Sequence, residues 1–303
     1  MNYEDLSHDD VNKALIKTAE KTAYDAGLPV FLDIAGNTGY TMRNCLLLYS
    51  QLQMNTDDNF PLEINTTNIP SNISIWDLKS EKQWQDLGRK VTNFSGGLDV
   101  CVPVQKYIKD KKTTEFEVEQ VFDITNTQGQ DYTSVGKQVR FQKDPEFACK
   151  YFISSIQPSS VSKSPDTVNP IDFDIKTGAL TFRDSIKNED VLPSLIHAYT
   201  LSKGQEKYGK GWEKEIQILA NQAEYVSRLQ LGLPADKNKI EGFSNIPNDW
   251  KKDSVYFVHS CGVQSFQQIT NKLNSLARRS QAEQSTTTPR IPTKERSVTH
   301  GSR

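Results

Sequence analysis

Two stretches of two-residue alternation, separated by a charged tip, constrain this chain more than any other feature. Leu98–Ile108 sets Val100, Val102 and Val104 on one side. Thr114–Ile124 resumes the period through Phe116 and Val118 and then, past a break that reads as a bulge, through Val121 and Phe122. Successive strand side chains point to opposite faces, so this period means two strands with one face buried. Asp110-Lys111-Lys112 between them reads as a hairpin tip. A lone hairpin is marginal in water and needs further layers to stabilise it. The expectation is a small antiparallel sheet of two or three strands with helices on one face, an α+β architecture.

Helical spacing surrounds this sheet. Residues 8–26, capped by Asp9 or Asp10, repeat Val11, Ala14, Leu15, Thr18 and Ala19 at helical intervals, and Gly27 and Pro29 close the run. Asp33–Gly39, with two glycines and an Asn-Thr pair, predicts a turn, and Tyr40–Gln53 predicts a second helix. Residues 54–72, rich in Asn, Thr, Asp and Pro, read as a surface loop. Ser80-x-x-Gln83 is a capping-box pattern opening a short helix with Trp84 and Leu87. A Gly- and Gln-rich stretch at 126–136 precedes a new unit. The expected division is therefore 1–140, 141–277 and a disordered basic tail over 278–303. In the second unit 157–169 reads as a loop. Ile171–Ile175 and Ala179–Phe182 read as a hairpin about Lys176-Thr177-Gly178, and helices are expected over about 188–203, 211–231 and 262–278.

Charge narrows the function classes without choosing one. The 303 residues carry 36 Lys+Arg against 38 Asp+Glu, which excludes a polycation or a polyacid as a whole. The parts differ: 14 basic and 20 acidic groups over 1–140, 16 of each over 141–277, and six against two over 278–303. No apolar run is long enough to span a bilayer. The acidic opening Met-Asn-Tyr-Glu-Asp is unlike a secretory signal. Cys45, Cys101, Cys149 and Cys261 lie far apart with no Cys-x-x-Cys pair. These signs lead to the expectation of a cytoplasmic protein with reduced thiols and no membrane partner.

Single-strand binders combine cations with aromatic platforms on which bases stack. Residues 79–112 hold eight basic groups, among them Arg89, Lys90 and Lys106, against four acids. Trp76, Trp84, Phe94 and Tyr107 lie in or beside that segment. Trp84, on the apolar side of a short helix, reads more simply as core. Asn44 and Gln51, seven residues apart, share a helix face; that suits either a base edge or the satisfaction of buried carbonyls. Tyr40 and Arg43 fall near the start of that helix, where backbone N–H groups favour phosphate. The candidate DNA contacts are thus Tyr40, Arg43, Asn44, Gln51, Trp76, Trp84, Arg89, Lys90, Lys106 and Tyr107.

Several blocks, in order, resemble the ArdC family of anti-restriction proteins and the related LtrC-like proteins of mobile elements. They are Asn44-x-Leu46-Leu47-Leu48-x-x-Gln51, Trp84-x-x-Leu87-Gly88-Arg89-Lys90-Val91 and Val121-Phe122-Asp123-Ile124-Thr125-x-Thr127-x-Gly129. The turn after the second block reads Thr92-Asn93-Phe94-Ser95-Gly96-Gly97, without the lysine usual there. The resemblance implies a single-stranded DNA-binding N-terminal domain and a zincin-like C-terminal domain. Where the family shows Leu-Ile-His-Glu-x-x-His, this chain reads Leu195-Ile196-His197-Ala198-Tyr199-Thr200-Leu201. Zinc catalysis needs three ligands and a carboxylate base, and here the Glu and the second His are absent. The third-ligand position falls on Leu219 or Asn221.

His259 beside Cys261 could pair with His197, but a buried structural His is the simpler reading. No nucleophile elbow or phosphate loop is present; Gly204, Gly209 and Gly211 sit among lysines as an interhelix loop. The expectation is a degenerate metallopeptidase-like scaffold with no catalytic residue, metal or cofactor. Its function would be non-sequence-specific single-stranded DNA binding by a mobile-element or phage protein, in an anti-restriction or DNA-transfer role. A host defence or conjugation protein would be a further partner. The alternatives are a DNA-mimicking, protein-binding inhibitor on the same scaffold, and a metallopeptidase with rearranged ligands.

Overall fold

A computed structural model describes residues 28–54, 78–108, 111–132, 145–165, 169–242 and 245–264, together with positions 13, 16, 17, 20 and 268. The fold is α+β. Its first part contains α1 (Leu28–Thr38), α2 (Met42–Met54), β1 (Lys79–Ser80), α3 (Glu81–Asp86), β2 (Arg89–Val91), β3 (Leu98–Ile108), β4 (Lys111–Phe122) and β5 (Thr127–Gly129). There follow α4 (Pro145–Ile156), β6 (Ser160–Ser164), β7 (Ile171–Asp174), β8 (Ala179–Arg183), α5 (Asn188–Tyr208), α6 (Glu213–Leu231) and α7 (Asn248–His259). Residues Ser260–Gln264 continue α7 as a π-turn.

The alternating stretches form the expected hairpin, in a sheet of order β1-β4-β3. Its register runs unbroken from Leu98↔Val121 to Ile108↔Lys111, so β4 contains no bulge. The break in the pattern has another cause. At its root the sheet separates two apolar clusters. Leu98, Val100 and Val121 face the large one, while Phe122 faces a small one with Trp84 and Val91. Burial on both faces replaces alternation with a continuous apolar run. Lys111 and Lys112 are strand residues rather than tip, and the expected tip residue Asp110 lies outside the described residues.

The Asp33–Gly39 turn is corrected to the last turns of α1. Gly36 is there for closeness: a Cβ at that position would meet the Leu229 side chain of α6 at 2.7 Å. Gly39, at φ 63, ends the helix with its N–H on the Ala35 carbonyl. Polar contacts reinforce the crossing. Gln230 Nε2 donates to the Ala35 carbonyl at 3.0 Å, and the buried Asp33 carboxylate accepts from the Tyr225 hydroxyl and from Lys237 Nζ. The large cluster consequently takes residues from both sides of position 140, from Phe31 and Leu46 to Leu195 and Val226.

The Ser80–Gln83 capping box forms as expected. So does the β7–β8 hairpin, with Gly178 at φ 70 in its turn. Within the expected loop 157–169, residues 160–164 are instead strand β6, paired parallel to β8. Only its last residue escapes full exposure, so it has no apolar face for a sequence pattern to report. Gly232, at φ 67, closes α6 through bonds to the Arg228 and Leu229 carbonyls. Helix α7 answers to no element in the sequence reading. The expected loop over 54–72, nearly all of the helices over 8–26 and 262–278, and the basic tail lie outside the described residues. Among the described residues no helix is long and apolar enough to cross a membrane.

Candidate functional site

Beyond its buried root the β3–β4 hairpin projects as a two-stranded arm. Residues paired across antiparallel strands share a face, so the register places Tyr107, Lys112, Thr114 and Phe116 together. Tyr107 is 75% exposed and Phe116 60%. Four residues along a strand separate two side chains by roughly 13 Å. Arg43, projecting from α2, sets its guanidinium 5.7 Å from the Phe116 ring centroid. Lys106, on the opposite face, pairs with Glu117 at 2.9 Å, both half-exposed.

The sequence candidates divide. Asn44 and Gln51 are spent on the edge of β3. The Asn44 amide donates to the Cys101 carbonyl and accepts from the Cys101 N–H, both at 2.9 Å. Gln51 does the same for Asp99, at 2.9 and 2.8 Å. Each side-chain amide thus imitates one residue of a missing neighbouring strand. Of the two readings weighed for this pair, the structure selects backbone satisfaction over a base edge.

Trp84 is fully buried, with its indole N–H on the Phe122 carbonyl at 2.9 Å, and cannot stack on a base. Arg89 is committed to β5: Nε donates to Thr127 Oγ1 at 2.8 Å, Nη2 to the Thr127 carbonyl at 3.1 Å and Nη1 to the Gln130 carbonyl. Tyr40 is half-buried and its phenol is pushed up to about 12, chiefly by burial; its carbonyl lies 3.0 Å from His259 Nε2. Lys90 is exposed on β2, and Trp76 lies outside the described residues. Of the candidates, Tyr107 stands exposed on the arm, and Arg43 reaches the same face from α2 at Phe116, roughly 13 Å further along. The sequence reading missed Phe116 because its place in the alternation suggested burial.

A second site lies between α5 and α6. Asp190, Ser194 and His197 on α5 face Gln217, Asn221, Glu224 and Arg228 on α6, around a pocket of about 470 Å³. Within each helix these residues recur at three- and four-residue steps, so each set forms one polar stripe. That stripe, running through helices whose other faces are apolar, was the available sequence signal. His197 Nδ1 lies 3.0 Å from Glu224 Oε2, and His197 Nε2 lies 3.1 Å from Gln217 Nε2. Arg228 bonds Glu224 Oε1 at 2.9 Å and Asp190 Oδ1 at 2.8 Å. Burial alone would raise the Glu224 carboxyl, but hydrogen bonds from His197 and Arg228 outweigh it and hold the group down at about 2.

These residues do not fit a catalytic metal. His197 Nε2 faces the Gln217 amide, and Nδ1 lies close to Glu224 Oε2 without forming a well-aligned hydrogen bond. Both Glu224 oxygens are engaged, one by a fixed guanidinium cation. Asn221 lines the pocket, whereas Leu219 is core. Cys261 is buried beside a different pocket, with Tyr199 and Lys203. Among the described residues no group of three His, Cys, Asp or Glu side chains could hold a metal ion.

No family model matches the chain, and no curated protein matches it. Among solved structures it is similar to the antirestriction ArdC protein from the R388 plasmid. The metal-free structure of that protein is 13% identical, with 79% of this chain and 86% of that chain covered and a TM-score of 0.40. The Mn(II)-bound structure is 12% identical, with 88% and 97% covered and a TM-score of 0.46.

Proposed function

We propose that this protein binds single-stranded DNA along the outer half of the β3–β4 arm, in an anti-restriction role. The observation that carries the reading is the arm face on which exposed Tyr107 sits beside Lys112 and exposed Phe116 lies four residues further along, with Arg43 against Phe116. Two aromatic platforms with cations beside them can stack bases and neutralise phosphates whatever the sequence. The ordered sequence blocks that resemble the ArdC family supply the biological role, with a host defence protein as the opposing partner. Phosphate contacts make such binding fall with salt, by a slope of about −0.7 per neutralised phosphate on a single strand.

Fluorescence anisotropy with a labelled oligothymidylate tests this. Binding at about 50 mM salt is expected, and Tyr107→Ala and Phe116→Ala should each weaken it by 1–3 kcal/mol, the usual order for a lost stacking platform. Absence of binding, or equal affinity for duplex, overturns the proposal. One observation favours the rival reading of a protein-binding DNA mimic: Glu117 and Glu119, two residues apart on β4, share a face and are both exposed. Under that reading the chain captures a nuclease or its specificity subunit and leaves the oligonucleotide unbound.

A further inference from the structure

The two edges of the arm are finished differently. Residue pairs along an antiparallel ladder alternate between those bonded to each other and those whose backbone groups face outward. Asn44 and Gln51 bond the backbone of Cys101 and Asp99 from outside, so the odd residues of β3 face outward. The register then makes Lys112, Thr114, Phe116 and Val118 the outward residues of β4. On β3 the edge is closed near its root: side-chain amides cover Asp99 and Cys101, and Pro103 has no N–H to offer. On β4 the neighbouring strand β1 covers only Val121 and Phe122, because Ser80 caps α3 and the chain turns away. Among the described residues no backbone bond reaches the outward side of β4 from Lys112 to Val118. The place of a third strand is thus begun by β1 and vacant beyond it. An exposed edge without proline or bulge is a template for another strand.

From this geometry we infer that β4 pairs antiparallel with β4 of a second copy of this chain, about a two-fold axis at Thr114, joining two arms into one sheet of order β3-β4-β4-β3. The choice of occupant and register rests on charge complementarity, since a two-fold contact repeats every pair. With the axis at Thr114, Lys111 lies opposite the partner's Glu117 and Lys112 opposite the partner's Phe116. Each pairing occurs twice, one joining opposite charges and the other setting a cation beside an exposed ring. Lys106 takes only Oε1 of Glu117 and leaves the other oxygen for such a contact. Moving the axis to Glu115 or Phe116 sets glutamate opposite glutamate, and moving it to Thr113 pairs only residues 111–115 of the strand. A two-fold perpendicular to the sheet keeps the same face of both arms on one side. One row across the sheet then reads Tyr107, Lys112, the partner's Phe116, with neighbours about 4.8 Å apart. Two aromatic residues bracket one lysine there, which a single arm does not achieve. The dimer thereby extends the DNA-binding face, but the inference itself rests on the open edge and not on that reading.

Analytical ultracentrifugation of the full chain, without DNA, tests the pairing. The expected result is a reversible monomer–dimer equilibrium with Kd below about 1 mM, as befits a small interface. Thr114→Pro removes an N–H that no bond within the chain uses and loses only an exposed hydroxyl contact with Gln105. It should melt with the parent and sediment as a monomer, because proline on an edge blocks strand addition. Lys111→Glu and Glu117→Lys each turn two opposite-charge pairs into like-charge pairs, and each should weaken the dimer about tenfold or more. An equimolar mixture of these two variants sets unlike charges opposite again, so it should form a heterodimer with the parent's affinity. The inference is overturned if the parent stays monomeric at about 1 mM, if Thr114→Pro leaves the dimer intact, or if the mixture associates no more tightly than its components. Failure here leaves the oligothymidylate reading standing, since a single arm still presents Tyr107 and Phe116. Failure of the anisotropy experiment likewise leaves the dimer standing, since no DNA takes part in its assay.

Discussion

Replacing Asn44 isolates the energetic worth of the amides that close the edge of β3. Asn44 is 7% exposed, and its side chain satisfies both the N–H and the carbonyl of Cys101. Asn44→Ala removes two hydrogen bonds worth about 1 kcal/mol each and leaves two buried backbone groups unpaired. Because water fills part of the gap, the expected loss is about 2–4 kcal/mol. For a chain of this length that lowers the melting temperature by roughly 4–8 °C. Gln51 is only half-buried, so water can replace its amide at Asp99, and Gln51→Ala should cost about 1 kcal/mol.

The sharper test is Asn44→Asp, which preserves shape but turns a carboxylate oxygen toward the Cys101 carbonyl. It should destabilise at least as much as Asn44→Ala. Thermal melting followed by circular dichroism ranks the three variants, and hydrogen exchange on the β3 peptide reads the Cys101 amide directly. A near-neutral Asn44→Asp, or a Gln51→Ala costlier than Asn44→Ala, refutes the reasoning.

Glu224 gives a pH prediction. Its folded pKa is depressed from 4.5 to about 2, so its contribution is fully present above pH 4.5 and is lost as pH falls toward 2. Glu224→Gln should therefore be less stable than the parent at pH 7 and should converge on it in melting temperature by about pH 2–3; a constant difference across that window refutes it. Gln222 on α6 is fully buried, and its amide nitrogen and oxygen find no hydrogen-bond partner. Gln222→Met keeps the length and removes the unpaired groups. It should raise stability by about 1–2 kcal/mol in urea denaturation, and a loss would show that a bound water serves the amide.

The legible parts of the fold were those in which local chemistry and burial agree. The alternation at Val100, Val102 and Val104, the Ser80–Gln83 cap and the Gly232 stop each state their own structure. The misread parts were settled by contacts from elsewhere in the chain. Gly36 looks like a turn residue unless Leu229 is known to press on it. Strand β6 has polar residues on both faces because it needs only the β8 backbone. At the candidate sites, residue type indicated chemistry but not availability. Arg89, Asn44, Gln51 and Trp84 carry groups suited to nucleic acid, yet backbone atoms distant in sequence had already claimed them. Phe116 was passed over because the alternating pattern continues past the point where anything covers it.

The crossing of α1 over α6 limits how this chain can be divided. Helix α1 precedes the arm in sequence, but its glycine notch, its Ala35 carbonyl and its buried Asp33 are all completed by residues after position 220. A fragment ending at residue 140 would expose Phe31, Leu32 and Ile34, now at most 1% accessible, and would strand a carboxylate without its tyrosine or lysine. Exchange of parts between relatives would face the same constraint. A graft of the arm alone crosses few contacts, whereas any graft carrying α1 must bring α6 with it.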